Sequence, residues 1–179
     1  MSTWHGSTTS PTVPTGNPHS PIVLDTTVVS NFASTDDLNL IISGSSTQVV
    51  TVPAVINEVR AGNEDPDFLA KIEEELNVIE VDSDPDDGIF DSMDYGEAHA
   101  LHATIIEGGT LATDDLAARK LADQRGVPVT GSIGLLVRLV RQGVLTVDEA
   151  DTVLRRWIEK SNYFSPVESV REVLPDDWN

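Results

Sequence analysis

The sequence contains no cysteine. This excludes a disulfide framework and any thiolate zinc or iron–sulfur site, and it fits a reducing compartment. No apolar run approaches the roughly 18 residues that span a bilayer, so no membrane partner is predicted. Residues 1–20 also lack the basic and apolar regions of a secretory signal. We therefore expect a cytoplasmic protein.

Lysine is almost absent, with only Lys71, Lys120 and Lys160, and thirty acidic residues against eleven basic ones give a net charge of −19. The apolar fraction is nevertheless a normal 39%, which predicts a folded core rather than a disordered acidic chain. An acidic surface with so few lysines suggests adaptation to high salt. A melting temperature that is highest in dilute buffer, rather than at high KCl, would count against this halophilic hypothesis.

The acidic surface also bears on binding partners. At ordinary ionic strength it disfavours nucleic acid. At about 1 M salt the Debye length shrinks to roughly 3 Å, so only the charge close to a site matters. A nucleic-acid substrate is therefore compatible with this charge if the salt hypothesis holds.

Strand and helix patterns alternate along residues 21–179, whereas the first twenty residues have a different composition. Residues 1–20 are rich in Ser, Thr, Pro and Gly and predict a flexible tail, because they bury too little to offset the entropy of ordering. Residues 21–179 predict one α/β domain with a mainly parallel sheet. Its predicted strands are 21–25, 48–52, 78–81, 110–113 and 127–130. Its predicted helices are 26–32, 36–42, 53–60, 67–75, 94–107, 116–125, 133–142, 147–160 and 166–174.

Acidic residues stand at the ends of several of these elements. Asp25 closes the first strand, Asp114 and Asp115 follow the strand at 110–113, and Glu58 and Glu97 lie in helices. Ligands gather beyond the carboxyl ends of parallel strands, and carboxylates share a cleft at low cost only when a cation lies between them. Oxygen-only ligation indicates Mg²⁺ or Mn²⁺.

Each acidic residue also has a purely structural interpretation. Asp25, Asp114 and Asp115 are good helix N-caps, and Asp94 with Glu97 has the spacing of a capping box. His99 and His102 are more typical of helix neighbours than of metal ligands. The acidic segment 82–88 lacks the bidentate Glu of a calcium loop, which favours a surface loop. It is the convergence of the acidic residues on one sheet edge that favours a site.

In these segments the chain resembles the PIN-domain nucleases, in particular a prokaryotic branch with Gly-Glu-Ala and Asp-Asp-x-x-Ala-Arg segments. The resemblance covers roughly residues 22–174. The matching pieces are IVLDTTVVS at 22–30, VPAVINEVR at 52–60, GEAHAL at 96–101, LATDDLAARKLA at 111–122 and GVPVTGSIGLL at 126–136.

The resemblance implies a three-layer α/β/α fold and a metal-dependent phosphodiesterase that acts mostly on RNA, often as the toxin of a toxin–antitoxin pair and as a homodimer. By motif, Asp25, Glu58, Glu97 and either Asp114 or Asp115 would be catalytic and hold the metal. Asp115 fits the family position slightly better, and Asp114 would support it.

Two supporting residues are also expected, Thr27 and Arg119. Thr27 matches the small polar position that orients the first Asp. Arg119 is one of few basic residues available to RNA, and it is equally placed for an i+4 salt bridge with Asp115.

Two other functions remain open on the sequence. The first is a non-catalytic PIN-like scaffold that associates with RNA, in which the acidic residues are caps or surface groups and Mn²⁺ does not bind saturably. The second, a phosphatase with a nucleophilic Asp, is weaker because Thr27 occupies the position where such enzymes carry a second Asp. The sequence pattern indicates no Ser–His–Asp or Cys–His arrangement, so no covalent intermediate is expected.

Overall fold

The structure, a computed structural model, describes residues 20–63, 65–91 and 93–175. All but the last residue of the predicted tail at 1–20 therefore lie outside the described residues. Five strands are present in this part of the chain: β1 Ile22–Leu24, β2 Val49–Thr51, β3 Asn77–Val78, β4 Thr110–Ala112 and β5 Val129–Thr130. All of their pairings are parallel.

Helices separate and follow the strands of the sheet to give a three-layer α/β/α fold. In the described residues they are α1 Thr26–Ser34, α2 Leu38–Gly44, α3 Pro53–Gly62, α4 Pro66–Glu75, α5 Asp87–Phe90, α6 Tyr95–Glu107, α7 Leu116–Gln124, α8 Ser132–Arg141 and α9 Val147–Lys160. A 3-10 helix follows at Val170–Val173. No helix among the described residues is both long and apolar enough to span a bilayer.

The strand order is β3-β2-β1-β4-β5, with β1 in the centre. Every residue of β1 is buried, as expected for a strand covered by helices on both faces. The chain builds outward from β1 to β3 and then returns to place β4 on the other side of β1. The strand order therefore reverses between β1 and β4, and in open α/β sheets the crevice beyond such a point is where ligands bind.

The long helices match their predicted positions, and three other elements differ. The predicted helix at 166–174 is only the 3-10 helix Val170–Val173, because Leu174 precedes Pro175 and takes an extended conformation. The acidic segment 82–88 contains the start of α5, which is capped by the Asp86 side chain. The strand predicted at 78–81 is a shorter β3, although the Ile79 N–H still donates to the Thr51 carbonyl.

Buried aromatic packing fixes the C-terminal part of the chain on the domain. Trp157 of α9 is fully buried, and its ring lies 4.7 Å edge-on from Phe32 of α1 and 5.6 Å from Tyr163. Its indole N–H donates to the Thr35 hydroxyl at 3.1 Å, so the one polar atom of the ring is satisfied. The segment after α9 is thereby held against the helices that follow β1.

Candidate metal centre

Asp25 lies at the centre of the candidate site, between the ends of β1 and β4. Its backbone N–H donates to the Ala112 carbonyl at 3.0 Å, and its side-chain Oδ1 caps α1 by accepting the Val28 N–H at 2.8 Å. The residue is fully buried. Its second oxygen, Oδ2, is also buried and accepts no well-formed hydrogen bond from the described residues, although the Thr113 hydroxyl lies close enough to lower the pKa of the carboxyl group. A buried carboxylate oxygen without a donor is an unusual and costly feature.

Burial raises the pKa of Asp25 to about 7. The negative charges of Asp114 and Asp115 add to this effect, and the Thr113 hydroxyl and the Val28 amide act against it. The pKa of Glu97, in the first turn of α6, is also raised to about 7, first by burial and then by the charges of Asp115 and Asp25. The structure therefore brings Asp25 within electrostatic reach of Glu97, Asp114 and Asp115. Glu97 is also within reach of Asp115.

The adjacent aspartates after β4 have different surroundings. Both oxygens of the Asp114 carboxylate accept hydrogen bonds. Oδ1 accepts the Ser132 N–H at 2.9 Å. Oδ2 accepts the Ser132 hydroxyl at 2.6 Å and the Asn31 side-chain amide at 3.1 Å. Asp115 caps α7 through Oδ1, which accepts the Ala118 N–H at 2.7 Å, and its other oxygen accepts no bond from the described residues. Asp115 is thus the better placed to bind an ion, and Asp114 links α1 to α8.

Glu58 of α3 lies beside the cluster, but its carboxylate is held by the protein itself. Oε2 accepts the Thr26 hydroxyl at 2.6 Å, and Oε1 accepts the Gly96 N–H at 2.6 Å. It therefore fastens the start of α1 and the start of α6 to α3. Asp94 precedes α6 but makes no side-chain cap bond, so the expected capping box with Glu97 is not formed.

Of the two expected supporting residues, Thr27 does not contact the carboxylate it was expected to orient, and Arg119 does not form the salt bridge with Asp115, within the ranges that the structure describes. Thr27 is exposed and makes no hydrogen bond to Asp25 among the described residues; its neighbour Thr26 is the one that contacts a site carboxylate. Arg119 makes no ion pair with Asp115 in the described part of the chain. Its Nη1 donates instead to the carbonyls of Thr113 at 2.9 Å and Thr130 at 3.2 Å, at the ends of β4 and β5.

Sequence reasoning missed the residues that hold the carboxylates in place, namely Thr26, Asn31 and Ser132. Asn31 carried one signal that could have revealed it: it is a polar residue on the buried face of α1, between Val28 and Phe32. Ser132 opens α8 directly after β5, which is the sheet edge where the other polar groups meet.

Chemically the site suits a hard divalent cation, because its groups are all carboxylates and Asp25 Oδ2 has no donor of its own. Among residues 20–63, 65–91 and 93–175, no three Asp, Glu or His side chains are spaced as ligands of a single ion. The fit therefore rests on the donor type and the orphaned oxygen, not on a closed coordination shell. Asp25, Glu97 and Asp115 are the residues that would hold the ion.

A family model described as a PIN domain matches residues 21–176. The chain belongs to the PIN-domain family. PIN domains are generally nucleases and typically use divalent metal ions, so this is a nuclease-type fold, and the predicted family and three-layer architecture are confirmed. No curated protein sequence matches the chain. It is similar to the crystal structure of PAE2754 from Pyrobaculum aerophilum, with 19% identity, a TM-score of 0.47, and coverage of 74% of this chain and 95% of that one.

Replacing Gly96 should break the link that Glu58 makes. A Cβ at Gly96 would lie 2.3 Å from Glu58 Oε2 and 2.6 Å from the Thr26 hydroxyl, so Gly96→Ala must displace the carboxylate from both donors. We expect the free energy of unfolding to fall by about 1–3 kcal/mol, the range for leaving buried polar groups unpaired, as measured by urea denaturation.

The matched control for this change is Gly62→Ala, at the end of α3. A Cβ there meets nothing within 4 Å, so the substitution should be neutral or stabilise by up to about 1 kcal/mol. Equal stability of Gly96→Ala and the wild type would show that the Glu58 link contributes nothing to the fold.

Proposed function

We propose that the protein is a metal-dependent ribonuclease that hydrolyses phosphodiester bonds with Mg²⁺ or Mn²⁺. The observation that carries the proposal is the buried carboxylate of Asp25. Its Oδ2 accepts no well-formed hydrogen bond from the described residues, and it lies within electrostatic reach of Glu97 and Asp115 at the crevice between β1 and β4. Such an oxygen is costly in a metal-free fold and favourable beside a cation.

In this proposal the carboxylates have different tasks. Asp25, Glu97 and Asp115 bind the ion, which when bound lowers the pKa of its water and neutralises charge on the phosphate oxygens. Glu97 also orients the attacking water or accepts its proton. Asp114 and Glu58 position the elements that carry these residues. No residue forms a covalent intermediate.

The family branch extends this proposal to the partners of the protein. We propose a homodimer in the cytoplasm that acts as the toxin of a toxin–antitoxin pair, with an antitoxin protein as its binding partner, and an acidic surface that suits high salt. The second candidate is a PIN-like scaffold that associates with RNA and does not cut it. It is favoured by the absence, among the described residues, of three carboxylates or imidazoles at ligand spacing.

Cleavage and metal binding separate the two candidates. The wild-type protein should degrade single-stranded RNA in Mn²⁺ or Mg²⁺ at about 1 M KCl, a salt concentration at which the acidic surface is screened, and EDTA should abolish the reaction. Calorimetry should show saturable Mn²⁺ binding. If neither RNA cleavage nor a saturable heat of Mn²⁺ binding is observed, the scaffold is the function that remains.

A further inference from the structure

A groove opens beside the carboxylate cluster, on the side of β5 and α8. It has a volume of about 610 Å³, within the ~300–1,000 Å³ range of small-molecule sites. Asp114 and Arg119 line one part, Ile133 and Val137 of α8 supply apolar surface, and Tyr163 and Phe164 line another part. Because Asp114 lines the groove and also belongs to the carboxylate cluster, the groove borders the candidate metal centre.

The Phe164 side chain extends into solvent from a turn whose backbone is fixed by the preceding residues. Asn162 takes a left-handed conformation with φ 51°, which turns the chain back after α9. The Tyr163 N–H then donates to the Trp157 carbonyl at 3.2 Å, and the Tyr163 ring packs against buried Trp157. Phe164 next to it is 90% exposed. A fixed backbone below a fully exposed ring provides a surface on which a flat ligand can stack.

Arg119 supplies the charge at the other part of the groove. Two backbone carbonyls fix its Nη1, whereas Nε and Nη2 donate to no residue in the described part of the chain. Gly131 makes room for this arrangement, because a Cβ there would lie 2.6 Å from Asp114 Oδ1 and 3.0 Å from Arg119 Nη1. A guanidinium with its position fixed and N–H donors to spare is suited to a phosphate oxygen.

Tyr163 connects the two parts of the groove. Burial and the negative charge of Asp114 raise the pKa of its hydroxyl, and the charge of Arg119 opposes this, so the phenol lies close to both charged groups. The groove thus presents a cation, a phenol and an exposed aromatic ring in succession. A nucleotide presents the complementary groups, a phosphate, a sugar and a flat base.

We propose that this groove is the subsite for one unpaired nucleotide of the RNA, with its phosphate at Arg119 and its base stacked on Phe164. The subsite rests on the ribonuclease function proposed above and adds to it the residues that would hold one base and its phosphate. A base inside a duplex has both faces covered by its neighbours and cannot stack on a protein ring, whereas an unpaired base can. The nucleotide in the groove lies next to the bond that is cut, because Asp114 borders both sites.

The test is binding of a fluorescein-labelled single-stranded RNA decamer, measured by anisotropy in EDTA at about 1 M KCl, where long-range repulsion is screened. Phe164→Ala should raise the Kd roughly tenfold, the usual loss for one stacked base. Phe164→Trp, which retains an aromatic face, should stay within about twofold of the wild type. The matched control is Ile106→Ala, which removes a 55% exposed side chain at the far end of α6 and should change nothing.

A second RNA makes the test specific to stacking. A blunt hairpin stem of the same length should bind equally, and weakly, to the wild type and to Phe164→Ala. Equal binding of the single strand by these two proteins, or no binding of it by the wild type, would overturn the subsite. A change in the mass of the protein in solution on Phe164→Ala, with RNA binding unaltered, would also overturn it and mark this face as a protein contact.

Failure of the subsite and failure of the ribonuclease function give different results. If the wild type cuts no RNA in Mn²⁺ but Phe164→Ala still weakens single-strand binding, the subsite stands and the hydrolytic function falls. If Mn²⁺-dependent cutting is observed and Phe164→Ala changes neither the KM nor the Kd, the function stands and the subsite falls.

Discussion

Asp25→Asn should abolish Mn²⁺-dependent RNA cleavage and leave the fold intact. The substitution removes the fully buried carboxylate of the site, and with it the charge that would bind the cation. Losing several kcal/mol of metal-dependent charge stabilisation corresponds to a rate at least about 10³-fold lower. The measurement is the initial rate of single-stranded RNA cleavage, with circular dichroism to check the fold.

The fold should survive because Asn serves as an N-cap as well as Asp does. The amide oxygen can accept the Val28 N–H that Oδ1 now accepts, and no negative charge is then buried. In metal-free buffer the variant should be at least as stable as the wild type. A folded Asp25→Asn protein that cleaves at the wild-type rate would refute the assignment of the site.

Asp37→Asn is the matched control, since Asp37 is another buried aspartate beside a helix start. Its carboxylate accepts the Arg156 guanidinium at 2.7 Å and the Thr35 hydroxyl at 2.5 Å, away from the carboxylate cluster. Breaking this pair should lower the free energy of unfolding by about 1–3 kcal/mol and leave the cleavage rate unchanged. The two variants should therefore separate stability from activity.

The metal-free protein should lose stability as the pH rises from about 4 to about 7. The pKa of Asp25 is raised from 3.8 to about 7 in the folded state, so across this range the folded protein retains a proton that the unfolded chain releases. The free energy of unfolding therefore falls with increasing pH. A shift of about three pKa units corresponds to a loss of roughly 4 kcal/mol, complete slightly above pH 7.

A divalent ion should reverse this loss, because it binds the ionised form of Asp25. Urea midpoints measured in EDTA should be lower at about pH 8 than at about pH 5, and Mn²⁺ should restore the midpoint at the higher pH. At about 1 M KCl the surface carboxylates are screened, so the difference between the wild type and Asp25→Asn isolates the buried group. A wild-type midpoint that is independent of pH in EDTA would contradict the raised pKa.

The sheet and the long helices could be predicted because their signals are local. Short apolar runs indicate β1 and β4. Helices such as α9 carry a full amphipathic pattern with a capping box at Thr146 and Glu149. The short helix α5 could not be predicted in this way. It lies in a chain segment rich in acidic residues and is held by the ion pair of Asp86 with Arg125, a contact between residues far apart in sequence.

The same difference between local signals and long-range contacts explains which parts of the candidate site could be predicted from the sequence. The carboxylates themselves could be located because each lies at the end of a predicted element, whereas the contacts that restrain them are not local. Asn31 donates to Asp114 and Ser132, which are 83 and 101 residues away in the sequence. Thr26 rather than Thr27 contacts Glu58. Which of two adjacent threonines faces inward depends on the exact rotation of α1, and no sequence period fixes that rotation within one residue.

The central position of β1 determines when the candidate site can be completed during synthesis of the chain. Ile22 at the start of β1 pairs with Thr110, and Asp115 follows only after that strand. A nascent polypeptide that stops short of β4 has one open edge on β1 and lacks half of the charged groups at the crevice. If the protein is the nuclease proposed above, a ribosome making a chain with this topology is therefore not exposed to a complete site until most of the domain has been translated.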